Sequence, residues 1–172
     1  PGAKWFVSKK SQGGIILDIG VHMADLMKWV VGDIDAIAAY VDTRTKTIDV
    51  PDNAAALMRF KNGATGVLEL SWTTPTGAGM FEVYGTEGTL RQGFTPDKPI
   101  EIIKPPVNGK PGRVLWPKPK KGVKNSHQAF VEAIRGNAPS PTPGELGREA
   151  IALCDAIAKS GKAGKFVKVA TF

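Results

Sequence analysis

Residues 54–73 read Ala-Ala-Ala-Leu-Met-Arg-Phe-Lys-Asn-Gly-Ala-Thr-Gly-Val-Leu-Glu-Leu-Ser-Trp-Thr, and this stretch decides the fold. Residues 54–60 and 65–73 are strand-like runs joined across Lys61-Asn62-Gly63-Ala64. Asn-Gly between two such runs favours a type I′ hairpin, because both central residues tolerate positive φ. Similar neighbours recur along the chain. Residues 37–43 form an apolar strand ahead of the hairpin. Residues 81–84 and 89–92 pair around Gly85-Thr86-Glu87-Gly88, and shorter strands are expected at 100–104 and 113–116. Consecutive hairpins make the sheet mostly antiparallel.

Two helices follow the hairpins. Residues 125–136 open on an Asn125-x-x-Gln128 cap and carry Phe130, Val131 and Ile134 on one side. The run Thr142-Pro143-Gly144-Glu145 is a second start, with Thr142 as cap, Pro143 at the first helical position and Glu145 closing the box. That helix is expected to reach about Ser160, to bury Leu146, Ile151, Leu153 and Ile157, and to end at Gly161. Residues 166–169 read as a last strand. Helices and hairpins in this order predict an α+β fold, with an open antiparallel sheet covered by helices on one face. The 172 residues fit one domain. The free sheet face would expose apolar residues unless it packed on another copy.

The chemistry concentrates near the N-terminus, where residues 13–29 read Gly-Gly-Ile-Ile-Leu-Asp-Ile-Gly-Val-His-Met-Ala-Asp-Leu-Met-Lys-Trp. On a helix, Asp18, His22 and Asp25 sit at i, i+4 and i+7 and share a stripe that Trp29 continues. Ile15, Ile16, Ile19, Met23, Leu26 and Val30 occupy the other faces, so the helix is expected to be apolar nearly all round and buried. Two carboxylates and an imidazole on a buried helix are costly unless paired or facing a cleft. The same three side chains make a poor metal site, because their mixed spacing needs ligands from elsewhere. The second histidine, His127, stands beside a helix cap, and no metal is expected.

Composition narrows the function further. Hydrophobic residues make up 42%, which excludes a disordered chain. The single cysteine, Cys154, permits no disulfide framework and points to a reducing, cytoplasmic setting. It lies on an apolar helical pattern and reads as a core residue. The apolar run 15–31 is interrupted by Asp18, His22, Asp25 and Lys28, so no membrane span is expected. The N-terminus has neither a signal-peptide core nor an initiator Met, which suggests a fragment or a processed chain. Residues 91–124 hold nine Lys or Arg against two acids and so account for the whole net charge of +7. The same segment carries seven prolines. It reads as a solvated excursion with short strands, since nucleic-acid binding needs basic residues presented together on a rigid face.

The ordered motifs resemble the C-terminal domain of the Gfo/Idh/MocA oxidoreductases, the relatives of glucose–fructose oxidoreductase and inositol dehydrogenase. The resemblance starts at the Gly13-Gly14 to Asp25 helix entry. It continues through Asp52-Asn53-Ala54, Arg59-Phe60-Lys61-Asn62-Gly63, Ser71-Trp72 and Tyr84-Gly85-Thr86-Glu87-Gly88-Thr89-Leu90, and resumes at Pro141-Thr142-Pro143 and Gly147-Arg148-Glu149-Ala150. It implies residues 1–172 as a substrate-binding and oligomerisation domain, without the family's N-terminal Rossmann domain. The nearest approach to a dinucleotide motif, Gly77-Ala78-Gly79-Met80-Phe81-Glu82, ends in Glu and leads into a strand. The family's Glu-Lys-Pro motif is absent too. The resemblance thus implies half of an NAD- or NADP-dependent dehydrogenase acting on a sugar or polyol, inactive and without bound cofactor on its own. It also implies a homo-oligomer, dimer or tetramer, with neither nucleic acid nor membrane as partner. It makes His22 and Asp18 the catalytic candidates and Asp25 a substrate contact. A general base must reach the hydroxyl whose proton it takes, and an imidazole suits that role near neutral pH. The alternative is a non-catalytic assembly or binding module on the same scaffold.

Overall fold

Alternating burial along the second strand shows how the first sheet forms. Ala54, Ala56, Met58 and Phe60 are buried, while Ala55, Leu57 and Arg59 face out, the period-two pattern of a half-buried strand. In the computed structural model, residues 4–44, 47–77, 79–118 and 125–171 are described. The elements are α1 (Val21–Val31), β1 (Ile34–Asp42), β2 (Asn53–Phe60), β3 (Thr65–Ser71), β4 (Glu82–Gly85), β5 (Gly88–Thr95), β6 (Lys98–Lys104), β7 (Arg113–Leu115), α2 (Ser126–Ile134), α3 (Gly144–Ala163) and β8 (Val167–Lys168). Two 3₁₀ turns, Lys4–Val7 and Lys9–Ser11, and one π-helical turn, Ile16–Gly20, precede α1. This is the expected α+β, antiparallel fold, but its strands form two four-stranded sheets, β3-β2-β1-β8 and β4-β5-β6-β7, where the sequence suggested one. The break falls after β3, where Pro75, Gly77 and Gly79 cannot sustain a ladder. The chain divides accordingly into two compact units, Pro1–Pro75 with Ser140–Phe172, and Thr76–Pro139.

In the first unit, β1 and β2 pair with Ile37 opposite Met58, and β2 and β3 with Ala56 opposite Leu68. α3 packs on β1 and on α1. Ile15, Ile37, Met58, Leu153 and Ile157 are fully buried between these layers. The opposite face of the sheet leaves Tyr40, Leu57 and Val67 exposed.

Three local expectations change here. The β2–β3 turn is not type I′: among its residues only Gly63 has positive φ, at 90°. Phe60 N–H bonds the Ala64 carbonyl at 2.9 Å and Gly63 N–H the Phe60 carbonyl at 3.1 Å, which closes a three-residue loop. Asn62 is engaged elsewhere, its Nδ2 donating to the Val31 carbonyl at the end of α1 at 2.8 Å. α3 starts from Pro143, not Thr142, with no side-chain cap, and runs past Gly161 to Gly164, which takes the left-handed conformation at φ 62°. Gly161 is instead a contact point, because a Cβ there would lie 2.6 Å from Val41 Cγ2. The buried stripe of α3 includes Ala150, Leu153, Cys154, Ile157 and Ser160; Ile151 is exposed because it projects from the other side, and Leu146, on the stripe's line, is exposed in the helix's first turn.

In the second unit, β4–β7 form a meander whose basic residues are largely engaged. Arg91 bonds Glu101 at 2.6 Å, Lys104 reaches Glu87 at 3.6 Å, and Lys98 lies 4.6 Å from the centroid of the Trp116 ring. Lys120, Lys121 and Lys124 of the basic segment lie outside the described residues. The α2 start is as expected, with Asn125 and Gln128 forming a reciprocal capping box.

Candidate functional site

Two glycines allow the chain to enter the first helix across another segment. Gly14 has φ +110°, and a Cβ on Gly13 would lie 2.1 Å from the Phe6 carbonyl oxygen. Gly14 N–H donates to that oxygen at 2.8 Å, and Gly13 N–H to the Ser8 carbonyl at 3.0 Å. The π-turn then brings Gly20 against β3, where a Cβ would stand 2.9 Å from Leu70 Cδ1. A cleft of about 250 Å³ opens beside this entry. The Trp5 and Phe6 rings, stacked with centroids 3.8 Å apart, line it together with the glycine turn, Leu17, Asp18 and His22. π-turns inside helices recur at functional sites.

The cleft thus brings Asp18 and His22 together. Asp25 is exposed on α1 and is not among the cleft's lining residues. The expectation of a buried helix fails: only Ala24 and Met27 of α1 are buried, and Trp29 is 82% exposed. One face suffices to pack α1 on α3, so the polar stripe and Trp29 meet solvent. Asp18 is half-buried, and its Oδ2 accepts a hydrogen bond from the Trp72 indole Nε1 at 3.1 Å. Among the described residues no hydrogen bond joins it to the exposed His22 ring. In the sequence Trp72 stood out only as part of the Ser71-Trp72 motif. The overlooked signal was its N–H, which needs an acceptor when the ring is partly buried.

Charged groups around the site hold the frame. Asp52 is fully buried, and its Oδ1 accepts from Arg44 N–H at 2.8 Å and from Asn53 Nδ2 at 2.7 Å. At the far end of α1, Lys28 Nζ lies 3.0 Å from Asp33 and 3.1 Å from Glu149. Hydrogen bonds from Lys28 and then Lys61 hold the Asp33 carboxyl below its ordinary range, and Asp33 and then Glu149 raise the Lys28 ammonium. Among the described residues no three His, Cys, Asp or Glu side chains gather as a metal site. Nor is there a helix long and apolar enough to cross a membrane. A dinucleotide does not fit the glycines near residue 78 either. Gly79 precedes β4 instead of opening a helix, and a Cβ there would meet nothing within 4 Å.

Residues 1–91 match the family model described as the GFO/IDH/MocA C-terminal domain. The chain is 26% identical to a D-apiose dehydrogenase of Paraburkholderia graminis, the match covering 90% of this chain and 44% of that protein. It is 29% identical to a 1,5-anhydro-D-fructose reductase of Ensifer adhaerens, over 92% of this chain and 48% of that one. The structure of an NAD-binding protein from Listeria innocua superposes with a TM-score of 0.81 at 25% identity, over 97% of this chain and 51% of the other. The chain therefore spans about half the length of the curated relatives it matches. With more than half of its residues matched by that model, the chain belongs to the GFO/IDH/MocA C-terminal domain family.

Proposed function

We propose that residues 1–172 form the substrate-binding and oligomerisation part of an NAD- or NADP-dependent oxidoreductase, which transfers hydride to or from a hydroxyl or carbonyl carbon of a sugar or cyclitol. The observation that carries this reading is the convergence of Asp18 and His22 on one cleft within the family-matching segment. The sugar-derived substrates named for the two relatives support the substrate class. His22 takes the proton of the reacting hydroxyl through its imidazole, which its exposure at the cleft leaves free to reach a ligand. Asp18, held by Trp72, accepts a hydrogen bond from the substrate. Asp25, one turn further along α1, contacts a second hydroxyl at the outer end. Among the described residues Gly77 and Gly79 open no helix, so the reading assigns the dinucleotide to a Rossmann domain of the parent, and the chain alone is inactive.

The open face of the first sheet carries assembly into a dimer or tetramer, since Tyr40, Leu57 and Val67 expose an apolar surface there. A reduced, buried Cys154 suits a cytoplasmic setting. Neither nucleic acid nor membrane belongs to this reading. His22→Ala in the full-length parent tests it. Turnover is expected to fall about 10²–10⁴-fold, the usual contribution of a general base, with cofactor affinity unchanged. Asp18→Asn should lose less, because the amide keeps part of the hydrogen bonding. Full turnover in His22→Ala would overturn the assignment.

A further inference from the structure

We infer that Trp72 is a positioning residue for Asp18, an inference that rests on reading Asp18 as part of the active site. The two residues are 54 positions apart, and the indole Nε1–H reaches Asp18 Oδ2 at 3.1 Å. Trp72 directly follows β3, so this bond ties the end of the sheet's edge strand to the π-turn that carries Asp18. The tie is anchored at both ends. On the strand side, Trp72 N–H donates to the carbonyl of the buried Asp52 at 2.9 Å. Next to it, Asn53 Nδ2 donates to Thr73 Oγ1 at 3.1 Å, and Thr73 N–H donates to Ser71 Oγ at 3.1 Å. On the helix side, the close approach of Gly20 to Leu70 fixes how far the π-turn stands from β3.

The bond has a chemical consequence. The indole, and not His22, holds Asp18 in this structure, so Asp18 and His22 face a ligand as separate groups. Asp18 Oδ1 has no protein partner among the described residues and stays available to a substrate hydroxyl. A charge-assisted hydrogen bond of this kind is directional, and holding a reacting group in place is worth large factors in rate. Trp72 acts through Asp18 and need not touch substrate.

Two measurements test the inference. In the full-length parent, turnover of D-apiose and 1,5-anhydro-D-fructose is compared in Trp72→Phe, Asp18→Asn and the double variant. Phe keeps the ring and removes the N–H. Trp72→Phe should lower kcat/KM by roughly 10- to 100-fold, and the double variant should be no worse than Asp18→Asn alone. Additive losses would overturn the positioning role, as would an intact Trp72→Phe beside an impaired Asp18→Asn. An Asp18→Asn variant with full turnover would instead overturn the reading of Asp18 itself. The second measurement needs no turnover. The Trp72 indole ¹⁵N–¹H resonance, identified by its loss in Trp72→Phe, should move upfield in Asp18→Ala. If neither sugar is turned over, this resonance decides, and an unmoved signal refutes the inference.

Discussion

Replacing Gly161 by Ala sets two effects of known size against each other. Inside a helix, Gly→Ala ordinarily stabilises by about 1 kcal/mol. At Gly161 the added Cβ would stand 2.6 Å from Val41 Cγ2 and 2.8 Å from Val41 Cβ. Carbon atoms rest at about 3.5–4.0 Å, so α3 and β1 must part by roughly 1 Å. Overpacking of this kind costs about 1–3 kcal/mol. The clash involves a branched, short side chain on a paired strand, which has little room to yield, so the net expectation is destabilisation by about 1–2 kcal/mol. Urea denaturation followed by circular dichroism should show a lower midpoint at unchanged slope. Val41→Ala supplies the control: in the Gly161→Ala background it should restore part of the lost stability, a coupling that independent sites do not show. Gly164→Ala is the contrast. Gly164 has φ +62° and nothing within 4 Å of its Cβ position, so only left-handed strain of about 1–2 kcal/mol applies, with no coupling to Val41. A stabilised Gly161→Ala, or one indifferent to Val41→Ala, would refute the packing argument.

Burial pushes the Cys154 thiol up to about 11, and its Sγ–H lies 3.4 Å from the Ile16 carbonyl oxygen. Ellman's reagent at about pH 8 should therefore label it only after unfolding; prompt labelling of the native protein would count against the buried assignment. Stability should also carry the signature of the Lys28 cluster. Asp33, lowered by Lys28, contributes stability that is present above the ordinary carboxylate range and lost as pH falls through its depressed value. Lys28, raised by Asp33, contributes stability that is present below its ordinary value and lost as pH rises through its elevated one. Lys28→Met should be less stable than wild type by a constant margin between about pH 5 and 9, the gap closing below about pH 4 and above about pH 10.5. A gap that varies within the neutral range would contradict this. Leu57→Asp places a charge on the open sheet face opposite Val67. Sedimentation at tens of micromolar should then show a smaller species than wild type, and an unchanged assembly would exclude this face.

How much was legible in advance depended on the reach of the forces involved. The antiparallel hairpins, the Asn125–Gln128 capping box and the element order follow from neighbours in sequence, and the structure shows them. So does the placing of Asp18 and His22 on one cleft, because both belong to a single helix entry. Local preference failed where a distant partner competed for the same residue. Gly161 looked like a helix stop, yet Val41 needs its missing Cβ and Gly164 provides the end. Asn62 suited a type I′ turn, yet its side chain closes α1 through the Val31 carbonyl. The sequence alone determined that Asp18 and His22 share one helix entry and that strands pair with strands, since period, turn residues and caps act over a few positions. Tertiary structure decided that the strands split into two sheets and that one face of α1 stays in water. It also decided that Asp18 answers to an indole 54 residues away instead of to the histidine one turn along. Those outcomes depend on which surfaces meet across the folded chain, and a hydrogen bond between remote positions leaves no periodicity in the sequence to read.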